Sequence, residues 1–231
     1  MRNFNFYVIT LLVLILVTAL PGFSPAWHDE THIAITKSAG YHKWFNATGA
    51  DMAKLKAGDI ESHNHYVNNP PETIFTPELV LSQTEKYNQF DEKGHLYGAI
   101  IASLRDYLTD KRKGKYAEYH LGFCAHYVGD LSQPLHNTHY NSYNREHHVT
   151  TDGIVNHQVL ANPQRIKIHP ITINSEEDLA REIATVANQA MELGDRIEAE
   201  GRLLTKEEAY TQISQSASLF RAILEYVEKI D

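Results

Sequence analysis

The sequence predicts a single, nearly all-α domain, and three observations carry that prediction. Apolar residues recur at helical spacing in most segments, as in the stripe Leu96, Ile100, Leu104 and Leu108. Helix-start signals (Thr76-Pro77-Glu78, Ser175-Glu176-Glu177-Asp178 and Thr205-Lys206-Glu207-Glu208) precede three of these runs. Only one short segment, 165–173, alternates, which suits either a short strand or an extended loop. The 231 residues suffice for one domain with a sizeable core, and no repeat, low-complexity tract or linker divides them.

The first 26 residues stand apart. Arg2 gives a short basic start, 6–20 is almost unbroken in apolar character, and Ser24-Pro25-Ala26 puts small residues before Trp27. This is the pattern of a signal peptide cut after Ala26, leaving 27–231 as the mature domain, secreted or periplasmic. The rival is an uncleaved anchor, for which the run is short.

Within the mature chain a helix is expected from Asp29 as N-cap towards residue 45, then a short one at 51–57 ended by Gly58. Further helices are expected at 76–90, 93–110, 118–131, 148–160, 175–197 and 205–230, with 137–145 polar and irregular. The last two carry few metal-binding residues and read as scaffold.

The formal net charge is -8, and loss of Arg2 with the leader makes the mature chain more negative still. That opposes a basic groove tracking a nucleic-acid backbone, although several bound zinc ions would offset much of it. The one cysteine, Cys124, lies in an apolar helical stretch and reads as a core residue, so no disulfide supports the exported chain. All fourteen histidines lie after Trp27.

The segment 118–131 organises the chemistry. His126 and Asp130 are four apart, so on a helix they share a face, and His148 and Asp152 repeat the spacing with His136 between. Imidazole and carboxylate in this pattern suit zinc. Candidate ligands fall in four clusters: Trp27, His28 and His32; Asp59, Glu61, His63 and His65; His126, Asp130 and His136; His147, His148 and Asp152. A carboxylate can bridge two zinc ions, and a multinuclear site of this kind suits hydrolysis of phosphate esters.

On these residues the sequence resembles the zinc-dependent phospholipase C family, which is related to the S1/P1 nucleases. The resemblance rests on Trp27, His32, Asp59, His65, the run His126-Tyr-Val-Gly-Asp130-Leu-Ser-Gln-Pro-Leu-His136, and His148-Val-Thr-Thr-Asp152. It implies a compact all-α fold holding three zinc ions. Asp59, His65, His126 and Asp130 would hold one. Trp27, through its freed α-amino group and carbonyl, would hold a second with His32 and a bridging Asp130. His136, His148 and Asp152 would hold the third, and Asp59 would serve as general base.

The interval from His136 to His148 is short, as in the phospholipases, whereas Asp152 and the Trp27–His32 spacing are nuclease-like. Asp59 and His65 are closer together than in well-known members of either branch, which keeps His63 in play for His65 and Glu61 for Asp59. His28 rivals His32. The reading drawn is a secreted phospholipase C acting on phospholipid, with transient contact to a membrane surface. The alternatives are an S1/P1-type nuclease acting on single-stranded nucleic acid and a non-catalytic zinc-binding protein.

Overall fold

A computed structural model describes residues 27–230, so the expected signal peptide lies outside the described residues. Among the described residues there are helices and no strand. In chain order they are α1 (Asp29–Ala39), α2 (Gly49–Ala57), α3 (Asp59–Ser62), α4 (Pro77–Ser82), α5 (Leu96–Arg112), α6 (Glu118–Leu131), α7 (Ser142–Asp152), α8 (Asn156–Val159), α9 (Glu176–Ala199) and α10 (Lys206–Ile230), with 3-10 turns between several of them. No helix among these residues is long and apolar enough to cross a membrane.

Helix α6 is the centre. Leu121, Cys124, Ala125, Tyr127, Val128 and Leu131 are all buried, packed against α5 and against α10. The expected stripe of α5 is real: Leu96, Ile100 and Leu104 join one core with Ile183, Phe220 and Ile223 from the last two helices. A second core forms around Trp27 and Ile35, with Leu193, Ile197 and Ile213. Cys124 is unpaired and wholly buried, and burial pushes its thiol up to about 12. It is a core residue, as expected.

Both expected capping boxes act as caps. The Ser175 hydroxyl accepts from Asp178 N at 3.1 Å, and Thr205 and Glu208 cap each other reciprocally at 3.2 Å and 2.9 Å. Thr76 caps α4, but that helix ends at Ser82 rather than near residue 90. The first helix ends at Gly40, which adopts a left-handed conformation (φ 90), and the chain restarts as a 3-10 turn at Trp44–Thr48. His28, not Asp29, occupies its N-cap position.

Two segments differ more. The stretch expected to be irregular before His148 is already helical from Ser142, because the Asn141 side chain accepts from Asn144 N at 3.0 Å and caps α7. The alternating segment 165–173 forms no sheet. Its amides at Lys167 and His169 donate to the hydroxyls of Ser214 and Ser218, both at 2.9 Å, so it lies as an extended strap along α10. The alternation arises because Ile166 and Ile168 pack on the second core while Lys167 and His169 face solvent.

Candidate metal centre

The helical repeat of α6 puts His126 and Asp130 one turn apart on its inner face, with His126 Nε2 3.4 Å from Asp130 Oδ2. Helix α1 brings His32 against the same turn. Its ring stacks on that of His126 with centroids 3.8 Å apart, and its Nε2 is 3.3 Å from Asp130 Oδ1. Gly129 makes this approach possible: a Cβ there would stand 2.4 Å from His32 Nδ1. The segment after α3 brings His65, whose Nδ1 is 2.9 Å from Asp130 Oδ2. The two oxygens of Asp130 thus face two different histidine sets.

A carboxylate that the sequence did not single out completes this side. Asp51, in the first turn of α2, lies 3.6 Å from His126 Nε2 and 3.9 Å from His65 Nδ1. Two groups of potential ligand atoms result: His32, His126 and Asp130, and Asp51, His65 and His126. The third group, His136, His148 and Asp152, joins the turn after α6 to the end of α7. Gln133 donates to Asp152 Oδ1 and accepts from Leu135 N, so the Gln-Pro pair of the motif both starts the turn carrying His136 and holds Asp152.

Hydrogen bonds fix which ring nitrogens point inward. His126 Nδ1 lies 2.7 Å from the Ala47 carbonyl and His136 Nδ1 2.6 Å from the His65 carbonyl, and a carbonyl only accepts. Each ring therefore carries its hydrogen on Nδ1 and presents a lone pair at Nε2. His148 Nδ1 is likewise 2.8 Å from Asn144 Oδ1. As a result His136 Nε2 and His148 Nε2 face each other, lone pair to lone pair, at 3.1 Å.

These residues fit a zinc site. Two ligands about 2.0–2.1 Å from one tetrahedral zinc ion stand about 3.3 Å apart, and the pairs above, at 2.9–3.9 Å, bracket that spacing. His32 Nε2, His126 Nε2, Asp130 Oδ1 and Asp152 Oδ2 are buried with no hydrogen-bond partner, and a cation satisfies such atoms together.

Charge supports the same fit. Burial lowers His32 and His148 to about 4 and drives His65 and His136 well below the ordinary histidine value, so all four are neutral ligands at pH 7. Burial raises Asp130 to about 8 and Asp152 well above the usual carboxylate range. Buried carboxylates so disfavoured as anions are what a nearby dication relieves. Burial would raise Asp51 too, but the positive charge of Lys54 and its hydrogen bond hold it below the usual range. The Lys54 ammonium is buried and sits 2.7 Å from Asp51 Oδ1.

The groups open into a cleft of about 340 Å³ whose lining includes Lys54, His65, His136 and His148, with Tyr66 and Tyr140 on its walls. Trp27 is wholly buried and packs in one core with Ile35, from the same helix as His32.

Of the residues expected from the sequence, His32, His65, His126, Asp130, His136, His148 and Asp152 are brought together. Asp59 is not. It begins the one-turn helix α3 with its side chain exposed on the cleft rim, outside all three groups, and Asp51 stands where it was expected. His63 turns away: its Nδ1 accepts from Asp91 N at 3.2 Å and its ring packs on Phe90. Glu61 is buried behind His65 and belongs to none of the groups. Neither does His28 or His147, the latter packed edge-on to Tyr143. Nothing local marks Asp51 and Lys54, because an acid and a lysine three apart are common at a helix start; the unusually short interval between Asp59 and His65 was the one available signal.

The S1/P1 Nuclease family model matches residues 28–217 of the chain. No curated protein matches it.

Proposed function

Because the chain belongs to the S1/P1 nuclease family, a family of zinc-dependent phosphodiester hydrolases, we propose that it is an exported nuclease that cuts single-stranded nucleic acid. The family match along residues 28–217 is the observation that carries this reading. The cleft agrees with it: Tyr66 is half-buried and Tyr140 exposed, and both flank the histidine groups. Flat aromatic faces at a cleft wall take up unstacked bases, which a duplex does not offer.

The proposed ligands are Asp51, His65, His126 and Asp130 for one zinc, His32 with Asp130 and the Trp27 main chain for a second, and His136, His148 and Asp152 for a third. Zinc held this way supplies Lewis acidity and makes water nucleophilic near neutral pH. The chain's own residues do the rest. Tyr66 and Tyr140 seat the base, and Lys54 offsets the phosphate charge. Asp51, kept ionised by the Lys54 ammonium beside it, takes both roles expected of Asp59. Cleavage of the leader after Ala26 would free the Trp27 α-amine, whose ordinary pKa near 8 lets a metal displace its proton easily.

Phospholipase C is the lesser reading. Exposed Met52, Leu55 and Ile60 on α2 and α3 favour it, since those helices also supply Lys54 and Asp59 to the cleft. The test is hydrolysis by the purified mature protein of single-stranded DNA, duplex DNA and phosphatidylcholine, with and without a chelator. Chelator-sensitive cutting of single-stranded DNA, restored by zinc, is expected. Hydrolysis of phosphatidylcholine alone would reverse the order of the two readings, and hydrolysis of none by zinc-loaded protein would leave a non-catalytic zinc-binding protein.

A further inference from the structure

Behind His65 lies a buried polar cluster that the proposed chemistry does not use. Glu61 is 3% exposed and stands four residues before His65. Its Oε1 accepts the Tyr127 hydroxyl at 2.6 Å and lies 3.3 Å from His65 Nε2. Its Oε2 accepts from Asn64 Nδ2 at 3.1 Å. Asn64 is itself held, its Oδ1 accepting from Asn88 N at 3.2 Å and standing 2.8 Å from His95 Nε2. Tyr127 and Asn64 both donate to Glu61, so an ionised carboxylate matches its surroundings, and His65 carries its hydrogen on Nε2.

This makes His65 the reverse of its neighbours. His126, His136 and His148 keep their hydrogen on Nδ1 and present Nε2, two of them through a backbone carbonyl and one through a side-chain amide. His65 presents Nδ1, 2.9 Å from Asp130 Oδ2 and 3.9 Å from Asp51 Oδ1, and its Nε2 faces a carboxylate. A carboxylate on the outer nitrogen fixes the tautomer and makes the inner nitrogen a stronger ligand than a carbonyl partner does.

We propose that Glu61 is a positioning residue of the metal centre: it holds His65 in the tautomer that presents Nδ1 to Asp51 and Asp130, and the Tyr127 hydroxyl holds Glu61. Glu61 is not a ligand, because Tyr127 and Asn64 already occupy its oxygens on the side away from the cleft. The inference rests on the reading of this cluster as a zinc site and is independent of which phosphodiester the protein cuts.

The test is zinc affinity, read by competition with a chelating dye, together with the absorption spectrum of the cobalt-substituted protein. Glu61→Leu removes the partner altogether, Glu61→Gln removes only its charge, and Tyr127→Phe removes only the supporting hydroxyl. Glu61→Leu should weaken one zinc of the set by about 10- to 100-fold, the usual cost of losing such a partner, and alter the cobalt spectrum. Glu61→Gln should fall between it and the wild type, with a smaller loss in Tyr127→Phe. If Glu61→Leu does not fold, the other two variants decide. Wild-type zinc affinity and an unchanged cobalt spectrum in both would overturn the proposal. A wild-type protein that binds no zinc overturns it together with the metal reading. A zinc-loaded protein that leaves nucleic acid uncut defeats only the substrate reading.

Discussion

His136 Nε2 and His148 Nε2 lie 3.1 Å apart with their lone pairs converging, because the other nitrogen of each ring is held by His65 O or Asn144 Oδ1. Two neutral imidazoles repel in that arrangement, and a shared cation reverses the sign. Zinc should therefore stabilise the fold as well as activate it. At a free zinc concentration about 1,000 times Kd, one such site contributes about 4 kcal/mol. For a domain of this size that corresponds to a fall of about 10 °C in Tm on chelation. A thermal melt unchanged by chelator would contradict the arrangement.

Asp51 and Asp59 offer a direct contrast. Asp51 lies 3.6 Å from His126 Nε2, whereas Asp59 is exposed on the rim. Asp51→Asn should lower activity by more than the roughly 100-fold that an outer partner costs, and should lose zinc on elemental analysis. Asp59→Asn should keep its zinc and stay within a few-fold of the wild type. The opposite ranking would restore Asp59 as the ligand.

Gly129 is the point where α6 and His32 meet. A Cβ at this position would stand 2.4 Å from His32 Nδ1 and 2.7 Å from its Cε1, so the stacked ring must move. Gly129→Ala should cost about 1–3 kcal/mol as an overpacked contact. It should also lose the zinc assigned to His32 while keeping that of His136 and His148. Full zinc content in this variant would show that His32 has room to spare.

Stability of the zinc-free protein should depend on pH in two opposing ways. Burial lowers His32 and His148 from 6.5 to about 4, so the unfolded chain binds more protons in that window and stability falls as pH drops from about 6.5 to about 4. Each fully buried ring contributes on the order of 3 kcal/mol to that loss. Asp130 works the other way: with its pKa raised from 3.8 to about 8 by burial, the stability it gives at low pH is lost as pH rises through about 8. Chemical denaturation of chelated protein at several pH values should give a maximum between these limbs. A flat profile from pH 4 to 8 would contradict the burial of these groups.

Trp27 is wholly buried in one core with Ile35, from the same helix as His32. If its free α-amine is a ligand, a variant retaining one extra residue before Trp27 should lose one zinc and most activity. Elemental analysis giving full zinc content for that variant would remove Trp27 from the ligand set.

What could be read in the chain follows from distance along it. His126 with Asp130 and His148 with Asp152 share helical spacing, and Gln133-Pro134 sets the turn to His136; each relation is closed within a few residues. The capping boxes at Ser175 and Thr205 are local in the same sense, and so is the apolar stripe of α5. These features determined an all-α fold, a histidine-rich centre and most of its candidate ligands before any packing was known.

Other features depend on segments far apart in sequence. Asp51 reaches His126 only because α2 packs against α6, so nothing near Asp51 distinguishes it from an ordinary helix-start acid, and Asp59 looked as good. His63 and His65 differ by two residues, yet His63 turns to Asp91 and Phe90 while His65 turns to Asp130. The tautomer of each ring is set by a partner such as Ala47 O for His126 or Glu61 for His65, and only folding brings those partners into reach. The sequence by itself determined which chemical groups the helices carry and on which face. Tertiary structure decided which of them meet and through which nitrogen, because ligand geometry is a condition on positions in space that many spacings along the chain can satisfy.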